Sequence, residues 1–375
     1  MNSIKFSKHN FTQQDLNLVS SIIKSGWLTH GKYTNLFEKE VSKYTGSKYC
    51  ITVSSCTAGL HLSCLAAGFK KGDEVIVPAM THTATAHAVE YTGAKAVFAD
   101  IEPLTGNLNL SLIKKRVTKK TKGIILVHMA GLPCNLSEIV TFCKKKKIIL
   151  LEDCAHSLGT KYKSKHVGNF GMSGSFSFYP TKQLTTGEGG VVVTNDLIFF
   201  KKIKTLKAFG IDKDVTERKK PGEYDVKFLG YNYRMTDFQA ALGYQQIKNY
   251  KENLKKRVQI AKRYIKNFSG FKKEILFPKF SKNNSYFIFQ VFFKNKRDEI
   301  LNILKSENIG VSIHYATPLP RMTYYKKRYN YKRNSFLNAD IYGNSNISLP
   351  VYPELKMKEV DFICDTIIKF FKNEK

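Results

Sequence analysis

The chain has no apolar run approaching the roughly 20 residues that cross a bilayer. Its first residues, Met1-Asn2-Ser3-Ile4-Lys5, lack an apolar signal core. Both absences lead to the expectation of a soluble, cytoplasmic protein. No CxxC spacing occurs either. The seven cysteines (Cys50, Cys56, Cys64, Cys134, Cys143, Cys154, Cys364) are scattered and odd in number, which argues for reduced thiols and against a disulfide framework or a zinc site. The GxxxxGK[ST] pattern of a P-loop is missing. So are internal repeats, low-complexity linkers and any helix-turn-helix segment.

Acidic residues are scarce: 30 Asp and Glu stand against 61 Lys and Arg, a formal charge of +31. Such an excess can signal nucleic acid or an anionic membrane. Here the bases are mostly lysine and are spread along the whole chain. Asn and Ile are abundant too, as codon bias in an AT-rich genome produces. The run Lys144-Lys145-Lys146-Lys147 sits where a helix should end, and the helix dipole favours cations there. Nucleic-acid binding is therefore not expected as the main role.

What is present is enough for two domains of unequal size: 375 residues, 42% of them hydrophobic. Apolar spacing predicts helices over 12–25, ending at Gly26, and 33–45, ending near Gly46. From residue 49, strand-like runs (49–54, 74–78, 96–100, 123–128, 148–153) alternate with helix-like runs (57–69, 83–92, 109–117, 136–146). That alternation implies crossover units, hence an α/β fold with a mainly parallel sheet and helices on both faces. Ligands of such sheets bind beyond the carboxyl ends of the strands. A helix is expected over 196–208, and an irregular, mobile loop over 210–227. Thr236-x-x-Gln239 has capping-box spacing and opens a helix through Ile247, with a basic helix over 251–267. Strands at 274–278, 285–293 and 310–315, a helix at 297–307 and a terminal helix at 356–372 complete a smaller α+β unit. The expected domains are 1–250 and 251–375.

The chain is organised around Ser175-Phe176-Ser177-Phe178-Tyr179-Pro180-Thr181-Lys182-Gln183-Leu184-Thr185-Thr186-Gly187-Glu188-Gly189-Gly190. Period-two alternation breaks at Pro180, and Val191-Val192-Val193-Thr194 resumes as a second strand. Lys182 thus sits in a tight loop between strands. It is either one more surface lysine or a partly desolvated amine freed as a nucleophile. Asp153 ends the apolar strand Ile148-Ile149-Leu150-Leu151-Glu152. It either caps the segment after it or faces a ligand, such as a pyridine nitrogen that it would keep protonated. His156 is either structural or packed on the same ring, and no third ligand at zinc spacing makes a metal site with these two. Ser54-Ser55-Cys56-Thr57-Ala58-Gly59-Leu60 joins strand to helix, as an ordinary N-cap or as an anion pocket suited to phosphate. His82 comes after the next strand end and is either structural or able to stack on a planar ligand. Asn232 and Arg234 either fix a loop or contact phosphate.

Taken in order, these residues resemble the DegT/DnrJ/EryC1/StrS sugar aminotransferases of the fold-type-I architecture. The resemblance runs from Gly26-Trp27-Leu28-Thr29-His30-Gly31 through Val53–Ala58, Glu152–His156, the Lys182 loop and Asn232-Tyr233-Arg234-Met235. It continues to Ile313-His314-Tyr315, Pro318-Leu319 and Leu349-Pro350-Val351. It implies a three-layer large domain and pyridoxal 5'-phosphate as cofactor. Lys182 would bond covalently to its aldehyde and then move the proton. Asp153 would pair with the ring nitrogen, and His156 and His82 would orient the ring. Cys56, Thr57, Ala58 and Ser177 would hold the phosphate. Asn232, with Arg234, would reach into the neighbouring subunit of a homodimer. Trp27, Thr29, Arg234, His314 and Tyr315 would lie on the substrate side. Three positions depart from the family pattern: Cys56 for Gly or Ala, His82 for a larger aromatic, and Gln183 for Asn. The implied activity is transfer of an amine, with L-glutamate as donor, to a keto-deoxy sugar on a nucleotide diphosphate, for glycan synthesis. A basic surface would help gather that diphosphate. The rival readings are dehydration of the same sugars with the same cofactor, and a non-catalytic basic regulatory protein. The family's 3-dehydratase branch carries histidine in place of the lysine, so Lys182 argues for amino transfer.

Overall fold

Two amphipathic helices come first, α1 (Gln13–Ser25) and α2 (Lys32–Thr45). Gly26 and Gly46 end them at φ 71° and 72°, a left-handed conformation that glycine adopts without steric cost. In this computed structural model, which describes residues 3–9, 11–213 and 218–373, the expected alternation comes next. It runs β1 (Tyr49–Val53), α3 (Cys56–Ala66), β2 (Glu74–Pro78), α4 (Thr83–Glu90), β3 (Lys95–Ala99), α5 (Leu110–Lys114), β4 (Thr121–Val127), α6 (Leu136–Lys146) and β5 (Ile149–Asp153). A short hairpin, β6 (Lys161–Tyr162) with β7 (Lys165–His166), precedes β8 (Ser173–Ser177) and β9 (Gly190–Thr194), which flank the Lys182 loop; α7 (Leu197–Leu206) lies beyond them.

Seven strands form one sheet in the order β1-β9-β8-β5-β4-β2-β3. From β8 to β3 every pairing is parallel, whereas β9 is antiparallel to both its neighbours. β1 and β8 therefore run in the same direction on either side of β9. The register pairs Gly190 with Val53 on one side and with Ser177 on the other, and it pairs Asp153 with Ser175. The carboxyl ends of β1, β8 and β5 thus gather along one rim, where this class of sheet binds ligands. Ile124–Leu126, Leu150–Leu151 and Val191–Val193 are buried, as expected of strands covered on both faces.

The C-terminal part departs from expectation in detail. One helix, α8 (Asp237–Asn267), runs unbroken for 31 residues in place of the two expected, so residues 250 and 251 lie inside it. At 274–278 and 310–315 the expected strands reduce to single bridges, Leu276 to Phe292 and Ser312 to Ser348, and of the run 285–293 only β10 (Phe289–Phe292) is regular. α9 (Arg297–Ser306) occupies its expected place. The stretch between 315 and 356 holds α10 (Thr323–Tyr329), α11 (Leu337–Ser345) and β11 (Asn346–Leu349), which pairs with β10. α12 (Met357–Asn373) closes the chain. Of the loop 210–227, residues 214–217 lie outside the described residues, and the rest carries a bridge between Ile211 and Val226.

Two apolar cores result. The larger surrounds the sheet and includes Ala240, Ile247 and Tyr250 of α8. The smaller joins Ile260, Ala261 and Tyr264 of α8 to Phe289, Val291, Ile347, Ile363 and Ile367. Among the described residues no helix is long and apolar enough to cross a membrane.

Candidate active site

The Lys182 loop is held on three sides. Thr185 and the Gln246 side chain of α8 exchange two hydrogen bonds: Thr185 N donates to Oε1 at 3.1 Å, and Nε2 donates to the Thr185 carbonyl at 2.7 Å. Gln183 Nε2 donates to the His156 carbonyl at 3.0 Å and to Ser285 Oγ at 3.1 Å. Gln239 Nε2 donates to the Glu188 carbonyl at 2.9 Å. The N-terminal segment adds a fourth contact, since His9 Nε2 lies 2.6 Å from the Pro180 carbonyl. A loop so pinned presents its lysine in one place.

Lys182 is not a surface lysine: its relative exposure is 9%. Burial lowers its amine to about pKa 8, against the smaller opposing fields of Cys56 and Asp153. Its Nζ stands 4.5 Å from the centre of the Phe287 ring. The His156 ring is stacked on the same Phe287 at 4.5 Å, so one aromatic side chain carries both groups. Burial, then the charges of Lys182, His314 and His82, hold His156 well below its ordinary value. Its Nε2 lies 3.3 Å from the Tyr315 hydroxyl, and its buried Nδ1 has no hydrogen-bond partner among the described residues.

Asp153 sits at the strand end. Its Oδ1 accepts from Ala155 N at 3.0 Å and its Oδ2 from the Thr85 hydroxyl at 2.7 Å. It therefore caps the turn after β5 and still interacts electrostatically with Lys182 and Cys56. His314 and Tyr315 close the group. His314 Nδ1 lies 3.0 Å from Ser348 Oγ, and burial pushes its pKa down to about 3, with Lys182 and His82 adding to the effect. Burial and Asp153 push the Tyr315 phenol up. His82 is exposed, caps α4 by accepting from Ala84 N at 3.2 Å, and faces Tyr315 at 5.9 Å.

Ser55 caps α3, its hydroxyl accepting from Ala58 N at 3.1 Å. Cys56 Sγ donates to the Ser175 carbonyl at 3.4 Å, which ties the helix start to β8. Gly190 makes the approach possible, since a Cβ there would stand 2.6 Å from the Cys56 nitrogen. A cavity of 440 Å³ opens at this helix start, lined by Ser54, Ser55, Thr57 and Ala58, with His61, Tyr231 and Tyr233 opposite. Asn232, between those tyrosines, is exposed. Arg234 lies over the Phe209 ring at 5.1 Å and lines a separate cavity of 510 Å³ with Lys207 and Glu38. Ser177 Oγ accepts from Tyr179 N at 3.4 Å.

The fold therefore brings Lys182, Asp153, His156, His314 and Tyr315 into one connected group, with His82 at its margin and the Cys56–Ala58 helix start adjoining it. Trp27 and Thr29 do not join it: they are exposed, in a loop whose Leu28 carbonyl accepts from Asp237 N at the head of α8. Sequence reasoning passes over Phe287 and Thr85. For Thr85 a signal exists, its i,i+4 spacing from Thr81 at a helix start. Phe287 is one aromatic in an apolar run, and nothing local marks it.

His128, Glu152 and Cys154 offer ligand atoms within 4.8 Å of one another. Glu152 already accepts from His128 Nε2 and from the backbone N–H groups of Gly168, Phe170 and Gly171. Cys134 N donates to His128 Nδ1, so the imidazole proton stays on Nε2. The polar atoms of His128 and Glu152 are thus already engaged within the protein.

The family model for the DegT/DnrJ/EryC1/StrS aminotransferase family matches residues 9–368. The spore coat polysaccharide biosynthesis protein SpsC of Bacillus subtilis is 35% identical over 95% of this chain and 94% of its own. GDP-perosamine synthase of Escherichia coli O157:H7 is 33% identical over 100% of both chains. Among solved structures, a Streptococcus pneumoniae protein classed as a sugar aminotransferase superposes in its PMP-form with a TM-score of 0.92. It is 30% identical and covered to 99% on both sides, and it is also solved in a PLP-form.

Proposed function

The chain belongs to the DegT/DnrJ/EryC1/StrS aminotransferase family, and we propose that it uses pyridoxal phosphate to aminate a keto-deoxy sugar carried on a nucleotide diphosphate, in glycan synthesis. The observation that carries this reading is the buried Lys182 amine, lowered to about 8, in one cluster with the Asp153 carboxylate and the unpartnered His156 Nδ1. An orphaned buried nitrogen asks for a ligand atom. The amides at the start of α3, kept open by Gly190, suit a phosphate. The residues present thus fit the cofactor: Lys182 for its aldehyde, Asp153 for its ring nitrogen, His156 for its phenolic oxygen, and Cys56, Thr57, Ala58 and Ser177 for its phosphate. When bound, the cofactor supplies a carbonyl that condenses with amines and a ring that withdraws electrons from the carbon losing a proton.

The chain's own residues do the rest. Lys182 Nζ, part neutral near pH 8, would hold the cofactor through its aldehyde and, when free, would take and return a proton as general base. Phe287 and His156 limit where that nitrogen can go. Tyr315 and His314 cover the cluster and exclude water. L-glutamate is proposed as donor on the family pattern. A homodimer is supported by exposed apolar residues on the segment that also bears Asn232 and Arg234: Phe209 (45%), Phe228 (48%) and Leu229 (88%). Asn232 would complete the phosphate site of the partner.

The test is spectral and then chemical. The purified protein should carry visible cofactor absorbance that glutamate bleaches. A panel of keto-sugar nucleotides, read by mass, should then show gain of an amine. Loss of water instead would establish dehydration, and Lys182→Ala with normal turnover would end the proposal.

A further inference from the structure

Thr85 is fully buried, with 0% exposure. Its hydroxyl lies 2.7 Å from Asp153 Oδ2 and 2.9 Å from the hydroxyl of Thr81. A hydroxyl has one proton to give, and an ionised carboxylate has none. Thr85 must therefore donate to Asp153, and it can receive only from Thr81. The two threonines form a one-way relay, Thr81 to Thr85 to Asp153, that ends on the carboxylate. Ala155 N holds the other oxygen, so both oxygens of Asp153 are fixed. The turn into α4 makes the relay possible: Thr81 precedes the extended His82 cap, and Thr85 lies in the first turn of the helix.

We propose that Thr85 is a positioning residue that orients Asp153 toward the cofactor's ring nitrogen; this rests on the reading of the site as a pyridoxal phosphate pocket. Without the hydroxyl, one carboxylate oxygen loses the donor that fixes its direction, and its contact with the ring nitrogen is held less closely.

Thr85→Val keeps the shape and deletes the donor; Thr85→Ser keeps the donor and deletes the methyl. Wild type, both variants and Thr85→Ala, which serves in place of Val should that variant not fold, are compared as cofactor-loaded proteins. Two quantities are read: the pH midpoint of the visible absorbance, and the dissociation constant for pyridoxal phosphate by equilibrium dialysis. Apoprotein melting serves as a check on folding. We expect the donor-less variant to shift the midpoint by about half a unit or more and to weaken cofactor binding about tenfold, the size of one charged hydrogen bond. Thr85→Ser should restore both. A donor-less variant with wild-type midpoint and affinity overturns the role, and so does a Ser variant that behaves like Val, since the methyl would then be what matters. Wild type that binds no cofactor at all would instead remove the underlying reading of the site.

Discussion

Burial sets the Lys182 amine at about 8, below the 10.5 of a free lysine. The neutral amine therefore grows as pH rises through about 8, and cofactor uptake by apoprotein should quicken over that range and level off above it. The same shift acts on stability with a definite sign. The folded value lies below the unfolded one, so this lysine opposes folding at full strength below about 8, and the penalty fades between about 8 and 10.5. Denaturant midpoints of apoprotein should rise across that window, and Lys182→Met should flatten the rise. Glu152 acts in the opposite direction. Burial alone would raise its pKa, but the hydrogen bonds from His128, Gly168 and Gly171 lower it on balance. Its contribution is present above the ordinary glutamate value of about 4.3 and is lost as pH falls through the lower folded value. Glu152→Gln would turn an amide N–H toward backbone donors that now meet a carboxylate oxygen. It should cost about 3 kcal/mol in urea unfolding. The Lys182 loop marks itself in the sequence, between two strand-like runs and ahead of three glycines, whereas the role of Glu152 is not legible locally: it reads as one residue before a strand end, and its donors come from 16 to 24 positions away.

At the scale of elements, period and punctuation locate most of the sheet. Gly26, Gly46 and the apolar strands mark their own boundaries, and β5 ends on Asp153 as its composition indicates. α8 reads as two helices in the sequence because Lys251, Glu252, Lys255 and Lys256 interrupt its apolar face. The structure continues it because Tyr250 is buried just before that stretch and Arg257 and Tyr264 are buried beyond it. Arg257 donates to the Val351 carbonyl at 2.5 Å and lies 3.4 Å from the Phe287 carbonyl, a partnership no local pattern discloses. The strands expected around Leu276 and Ser312 reduce to bridges because their partners, β10 and β11, are four residues each. The helix also fixes the lysine loop through Gln246. Gln246→Leu removes both hydrogen bonds to Thr185 and should cost about 2 kcal/mol. It should also lower cofactor affinity, whereas Tyr244→Phe on the same helix should leave affinity unchanged; dialysis and thermal melting separate the two effects.

For the whole molecule the charge of +31 matters most to an anionic substrate. Long-range attraction is screened within about 8 Å at physiological ionic strength. kcat/KM for a nucleotide sugar should therefore fall several-fold as salt rises from low to high, with kcat much less affected. A salt-independent kcat/KM would show that the lysines do not gather substrate. The exposed Phe228 and Leu229 make the second prediction at this scale. If the proposed homodimer forms through this face, Leu229→Glu should lower the sedimenting mass to that of one chain, and it should cut activity if Asn232 serves the partner's phosphate site.

α8 contributes to both cores without a break, as a rod of about 46 Å at 1.5 Å per residue. Bending it at mid-length would break several i to i−4 backbone bonds. A clamshell motion that bends this rod would carry that cost, whereas short segments at the rim can yield without it.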